Sequence, residues 1–301
     1  MAFDAVLLIA FGGPTRPDEI RPFLENVVRG RRIPPERLDD VAHHYELIGG
    51  RSPLNELTFR QAEKLRAAVA LPVYVGMRNW PPYLADTLAQ MADDGVRRAL
   101  GLILSPHATE ASRERYMETV AEGCARLGAR APEITYTPTW HLHPLFVGAV
   151  TAGVEAALAG IPAERRQEAT LVFTAHSVPT ALAERSPYVA EITTSSRAVA
   201  ERLGSQRWQV AYQSRSGSPR DPWLEPDVND VLRTLAADGA RDVVVVPVGF
   251  VCDHVEVLYD LDVEARATAV GLGLGFARAS TVNDHPLFIQ MLADVVREAQ
   301  A

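Results

Sequence analysis

Apolar positions along the chain follow two alternating patterns. Short continuous runs at residues 4–11, 71–76, 99–105, 133–138, 169–175, 207–212, 241–248 and 274–279 predict strands. Between most of them apolar residues recur three and four positions apart. That period predicts helices over 17–28, 55–69, 82–94, 110–127, 144–158, 188–203, 227–238, 255–269 and 284–299. Strand alternating with helix implies parallel βαβ units and an α/β fold. The four consecutive valines at 243–246 have the two-faced apolarity of a central parallel strand, and Pro247 and Gly249 end it.

The two halves echo each other. One early strand ends in AFGGP (10–14) and its counterpart in AHSVP (175–179); a later strand ends in LSPHATEAS (104–112) and its counterpart in VGFVCDHVE (248–256). The repeat predicts two Rossmann-like, doubly wound domains with parallel sheets facing a cleft, joined near 139–144: residues 1–141 and 142–301.

Composition narrows the function. At 301 residues and 47% apolar content the chain can bury a large core, and a net charge of -8 disfavours nucleic acid, which needs a basic footprint. Cys124 and Cys252 are the two cysteines, so neither a disulfide framework nor a cysteine-held iron–sulfur cluster is expected, and a reducing cytoplasm is the expected setting. The N-terminal MAFDAVLLIAFGGP has no basic leader and reads as a first strand, not a signal peptide. No apolar stretch reaches the roughly 18 residues that span a bilayer.

Candidate chemistry gathers at the predicted strand tips. After the valine run come Asp253, His254 and Glu256, then Asp260 and Glu264 at spacings of four. On an α-helix each step of four adds about 40° of rotation and about 6 Å of rise, so Glu256, Asp260 and Glu264 would share one stripe. Such a row is commonly a solvated helix face, but ligands of open α/β sheets bind where parallel strands end, and a cation would neutralise the row. His176 ends another buried run, ahead of Ser177 and Pro179. A histidine there is commonly structural; opposite Glu256 it could bind a divalent metal or accept a proton near neutral pH. Two protein ligands leave several positions open, which suits a metal in transit.

Other motifs are less specific. YELIGGRSPLN (45–55) pairs glycines ahead of Arg51 and Ser52 without Walker or Rossmann spacing. GMRNWPP (76–82) supplies Arg78 and Trp80, and VVRGRR (27–32) supplies Arg29, Arg31 and Arg32, which on their own read as solvated surface. The segment 212–228 predicts a long ordered loop ending at a helix capped near Asp227.

Taken in order, AFGGP, YELIGGRSPL, GMRNWPP, TAHSVP, YQSRSGSPRDPWLEPD and PVGFVCDHVEVLYDLDVE resemble the ferrochelatases over nearly the whole chain. The resemblance implies two Rossmann-like domains around a porphyrin cleft and insertion of Fe2+ into the macrocycle. It implies that His176 and Glu256 are the paired catalytic and metal-site residues, on opposite sides of the macrocycle pocket. Asp260 and Glu264 then match the acidic row that conducts metal or holds a second cation such as Mg2+. By the same resemblance Phe11, Arg29, Tyr45, Ser52 and Tyr116 contact or line the porphyrin site. The chain resembles the short bacterial forms, monomeric and cytoplasmic, with iron as substrate and no required cofactor. These include coproporphyrin III ferrochelatases, many of which carry tyrosine where this chain has Phe11. Protoporphyrin IX stays open as the substrate. A cobalt-inserting chelatase is a further reading, favoured by several histidines at one strand tip where only His176 is so placed; a non-catalytic haem or metal carrier is another.

Overall fold

A computed structural model describes residues 2–30, 34–216 and 221–301; Arg31, Arg32 and residues 217–220 of the predicted loop lie outside the described residues. Every predicted strand forms. The run AVLLIA becomes β1 (Ala5–Ala10), buried at each residue. Strands β2 (Val73–Met77) and β3 (Arg98–Ile103) flank it, with β4 (Glu133–Tyr136) beyond β3, all parallel. A second parallel sheet holds β5 (Thr170–His176), β6 (Trp208–Gln213), β7 (Asp242–Val246) and β8 (Gly275–Arg278) in the order β6-β5-β7-β8. Counted from its own first strand, each sheet runs second, first, third, fourth. The echo between strand-tip motifs is therefore a repeat of topology, with β1 matching β5 and β3 matching β7. In each sheet the order reverses between first and third strands, the switch point where loops part and a ligand can enter.

Both sheets are covered by helices whose buried positions follow the predicted period. Leu84, Leu88 and Met91 on helix Leu84–Asp93 pack against Leu7, Ile9 and Ala99. In the second sheet Val228, Val231 and Leu232 of helix Val228–Ala237 pack with Val172, Val243 and Val245. Removing one such side chain, as in Leu88→Ala, removes apolar burial and leaves a cavity, together about 2–5 kcal/mol.

Two compact units result, and the division is not the single cut expected near 141. The first unit comprises Met1–Leu104, Ala111–Pro138 and Asn283–Ala301; the second comprises Ser105–Glu110 and Thr139–Val282. One crossing, after Pro138, lies near the expected join. The last helix, Pro286–Gln300, returns to the first unit because Arg60 and Lys64 pair with Asp284 at 2.8 and 2.6 Å and Gln300 bonds Phe3.

Three helical expectations need correction; in one, the predicted helix 110–127 opens on a π-helical stretch, Glu110–Glu114, ahead of an α-helix at Arg115–Leu127. Helix Pro35–Leu47 was not predicted, because Tyr45 is its one buried residue and so thin an apolar face gives no clear period. The segment 255–269 is not one α-helix: α-turns at Val255–Leu258 and Arg266–Gly271 flank a π-helical stretch, Asp260–Ala265. There Glu264 N–H reaches back five residues to the Tyr259 carbonyl at 3.0 Å. Such wide turns occur often at functional sites.

Candidate active site

His176 is the last residue of β5, in register with Gln213 of β6. Its Nδ1 donates to the Ser177 carbonyl, so Nε2 faces outward from the strand tip. The loop after β7 is brought to that tip by Gly249, whose N–H bonds the Thr174 carbonyl at 3.0 Å. A Cβ at Gly249 would stand 2.6 Å from Ala175 Cβ and 2.8 Å from its Cα, so no side chain fits. With the loop held there, Glu256 Oε1 lies 3.4 Å from His176 Nε2. The two strand tips do bring the pair together, but in direct contact and so on one side of any bound macrocycle, a correction to the opposite-sides arrangement that the resemblance implied.

The other carboxylate oxygen of Glu256 faces a second histidine. His254 Nδ1 donates to the Cys252 carbonyl at 2.9 Å, and its Nε2 lies 3.3 Å from Glu256 Oε2. His176 is therefore not alone at the site, a correction to the sequence reading. The backbone places it: His254 is the extended residue, φ -160 and ψ -176, immediately ahead of the helical turn Val255–Leu258 that carries Glu256.

Electrostatics tie the three groups together. Burial works against an imidazolium at His176, but the Glu256 carboxylate outweighs it and lifts the pKa from 6.5 to about 9. His254 is raised in the same way, against its burial, by hydrogen bonding to Glu256. Burial alone would raise Glu256; the His176 and His254 imidazoles hold it well below the usual carboxylate range instead. At neutral pH the pair is thus an ion pair with a proton on His176.

The acidic row continues from this pair. Burial, with the charges of Glu256 and Glu264, pushes Asp260 from 3.8 up to about 7, against a hydrogen bond donated by Ser214 Oγ. Ser214 reaches it through a left-handed backbone, φ 62, just past the end of β6. Glu264 is raised by burial and by Asp227, whose carboxylate caps the following helix by accepting from Asn229 N–H at 2.8 Å. Asp253 and Asp262 stand apart from the row: Arg278 binds both, at 3.1 and 2.8 Å. No group of three or more His, Cys, Asp or Glu that could hold a metal occurs among the described residues. A metal at His176 and Glu256 would keep most of its coordination open.

The remaining candidates all belong to the first unit. Phe11, 38% exposed, stands edge-on to Phe23 at 6.3 Å between ring centres; Phe23 in turn meets Tyr45 at 6.2 Å and Trp80 at 5.9 Å. These rings form one aromatic group beyond β1. Ser52 is buried against Gly13, where an added Cβ would stand 3.0 Å from its side chain, and its N–H bonds the Pro14 carbonyl at 2.8 Å. Exposed Arg29 donates to Asn26, whose amide bonds the Asn79 carbonyl and the Tyr83 hydroxyl. Tyr116 is buried in the core between β1, β3 and helix Leu84–Asp93. Neither Cys124 nor Cys252 is in a disulfide, and no described helix is long and apolar enough to cross a membrane.

Comparison with known proteins supplies the context. The family model described as Ferrochelatase matches residues 3–300. A Mycobacterium avium protein named coproporphyrin III ferrochelatase is 48% identical over 301 residues, covering 99% of this chain and 88% of the relative. A Mycolicibacterium smegmatis protein of the same name is 45% identical over 306 residues, covering 99% and 90%. Among solved structures, SirB from Bacillus subtilis with Fe3+ matches with a TM-score of 0.64 at 13% identity, over 100% of this chain and 96% of that one. CbiX, described as the terminal enzyme of siroheme biosynthesis in denitrifying bacteria, gives 0.57 at 15% identity, over 99% and 100%. The last two likenesses establish the two-domain chelatase fold.

Proposed function

Because the chain belongs to the Ferrochelatase family, we propose that the porphyrin it metallates is coproporphyrin III, with His176 and Glu256 as the metal-site pair. The enzyme inserts Fe2+ into a porphyrin in haem synthesis: iron enters, and two pyrrole N–H protons leave, which balances the charge. Identity of 48% and 45% to proteins named coproporphyrin III ferrochelatase supports that porphyrin over protoporphyrin IX.

The observation that carries the residue assignment is the contact between His176 Nε2 and Glu256 Oε1 at the switch point of the second sheet. We propose this order of events. The resting imidazolium loses its proton as the cation arrives, since metal and proton compete for the same nitrogen. Glu256 passes the cation on into the macrocycle, which frees the neutral His176 Nε2 to accept one of the two pyrrole protons, while the other leaves to solvent. Asp260 and Glu264 form the approach for Fe2+ or the seat of a second cation such as Mg2+; no resident cofactor is required. Phe11, Tyr45, Ser52, Arg29 and Tyr116 are proposed porphyrin-side residues, and the working form is proposed to be a cytoplasmic monomer.

An anaerobic absorbance assay with Fe2+ and the two porphyrins in parallel tests this. Faster metallation of coproporphyrin III is expected, and a preference for protoporphyrin IX would overturn the substrate assignment. Stable porphyrin binding with no metallation would point to a carrier, and cobalt preferred over iron to the alternative chelatase.

A further inference from the structure

Two buried side chains outside the pair hold its halves together. Tyr188 opens helix Tyr188–Arg202, and its hydroxyl donates to the main-chain carbonyl of His176 at 3.0 Å. Its ring is seated edge-on against the buried imidazole of His107, 6.2 Å between centres. Burial raises its phenol far above the ordinary range, so it is a neutral donor at any working pH. Gln213, 1% exposed, ends β6. Its main-chain carbonyl accepts from Ser177 N–H at 2.7 Å, while its side-chain amide donates to the main-chain carbonyl of Glu256. Its side-chain oxygen is buried with no hydrogen-bond partner among the described residues.

The geometry has a direct consequence. The peptide joining His176 to Ser177 is held at both ends, its C=O by Tyr188 and its N–H by Gln213. The Ser177 carbonyl that fixes Nδ1 of His176 belongs to the next peptide, so holding the His176–Ser177 peptide fixes the backbone from which both the ring and its anchor extend, and with them the direction of Nε2. Gln213 bonds both the residue that follows His176 and the turn carrying Glu256. We propose that Tyr188 and Gln213 are positioning residues that hold His176 Nε2 and Glu256 at their working separation during metal insertion. The inference rests on the metal-insertion reading above, and neither side chain is assigned contact with the reacting atoms. Outer groups of this kind orient the groups that meet the metal.

The test uses Tyr188→Phe and Gln213→Met in the full chain, each keeping side-chain bulk while removing the hydrogen bond. Anaerobic steady-state insertion is measured with Fe2+ and porphyrin varied separately, alongside porphyrin Kd by fluorescence quenching. Turnover with iron is expected to fall about ten- to a hundredfold in each variant, with porphyrin Kd unchanged. Wild-type turnover in Gln213→Met, or a loss matched by equal weakening of porphyrin binding, overturns the proposal; should Tyr188→Phe not fold, Gln213→Met decides alone. Failure of the wild-type chain to insert iron would instead sink the functional reading, and this inference with it.

Discussion

Gly249→Ala probes how closely the loop after β7 must approach β5. The new Cβ would stand 2.6 Å from Ala175 Cβ and 2.8 Å from Ala175 Cα. Carbon atoms rest about 3.5 Å apart at their closest comfortable contact, so loop and strand must separate by about 0.9 Å. Little can give way, since one of the two obstructing atoms is backbone. Overpacking of this kind costs about 1–3 kcal/mol of stability. The larger effect is on function, because Glu256 follows seven residues later in the displaced segment. His176 and Glu256 already stand 3.4 Å apart, and a misplacement near 1 Å can cost about a hundredfold in rate. Turnover with Fe2+ is therefore expected to fall about a hundredfold while the variant stays folded by circular dichroism. Porphyrin affinity should hold. A folded Gly249→Ala enzyme with wild-type turnover would refute the argument that this close approach sets the metal site.

Further outcomes follow from the charges. Asp260→Asn and Glu264→Gln should raise the KM for Fe2+ about tenfold at low salt, less at high salt, with porphyrin KM unchanged; an unaltered metal dependence would reduce the row to a solvated face. His176 is raised from 6.5 to about 9, so its contribution to stability is fully present below 6.5 and is lost as pH rises through about 9. Glu256 is lowered, so its contribution is present above 4.5 and is lost as pH falls toward its depressed value. Because proton and metal compete for His176, the KM for Fe2+ should fall as pH rises from 7 toward 9, and a flat profile would contradict that competition. His107 is buried and neutral, its pKa lowered from 6.5 to about 3 by burial and by His141. Below pH 6.5 it should destabilise the fold by up to about 1.4 kcal/mol per pH unit until about pH 3, checked by acid denaturation of wild type against His107→Gln.

The strands were legible because parallel strands buried on both faces need unbroken apolar runs, as at 5–10 and 243–246. Helix Pro35–Leu47 was not, since burying Tyr45 alone leaves no apolar stripe to read. At the site, His176 and Glu256 could be found because each ends or follows a valine-rich or aromatic strand. His254 escaped because its role depends on one extended residue ahead of a helical turn, a local geometry the sequence does not announce. Gln213 and Tyr188 escaped for another reason: they act on main-chain carbonyls of residues distant in sequence. The π-helical stretch shows the same limit, since spacing of four fits α and wider turns alike. The repeat of strand-tip motifs likewise predicted a single join where the chain crosses between units four times.

The central claim is that His176 and Glu256 together put iron into coproporphyrin III. Its most direct measurement is anaerobic Fe2+ insertion by the wild type and by His176→Ala, with porphyrin binding followed in the same samples. Rapid appearance of the metalloporphyrin spectrum is expected with the wild type, and near-total loss with His176→Ala while porphyrin still binds. Wild-type turnover in His176→Ala would contradict it.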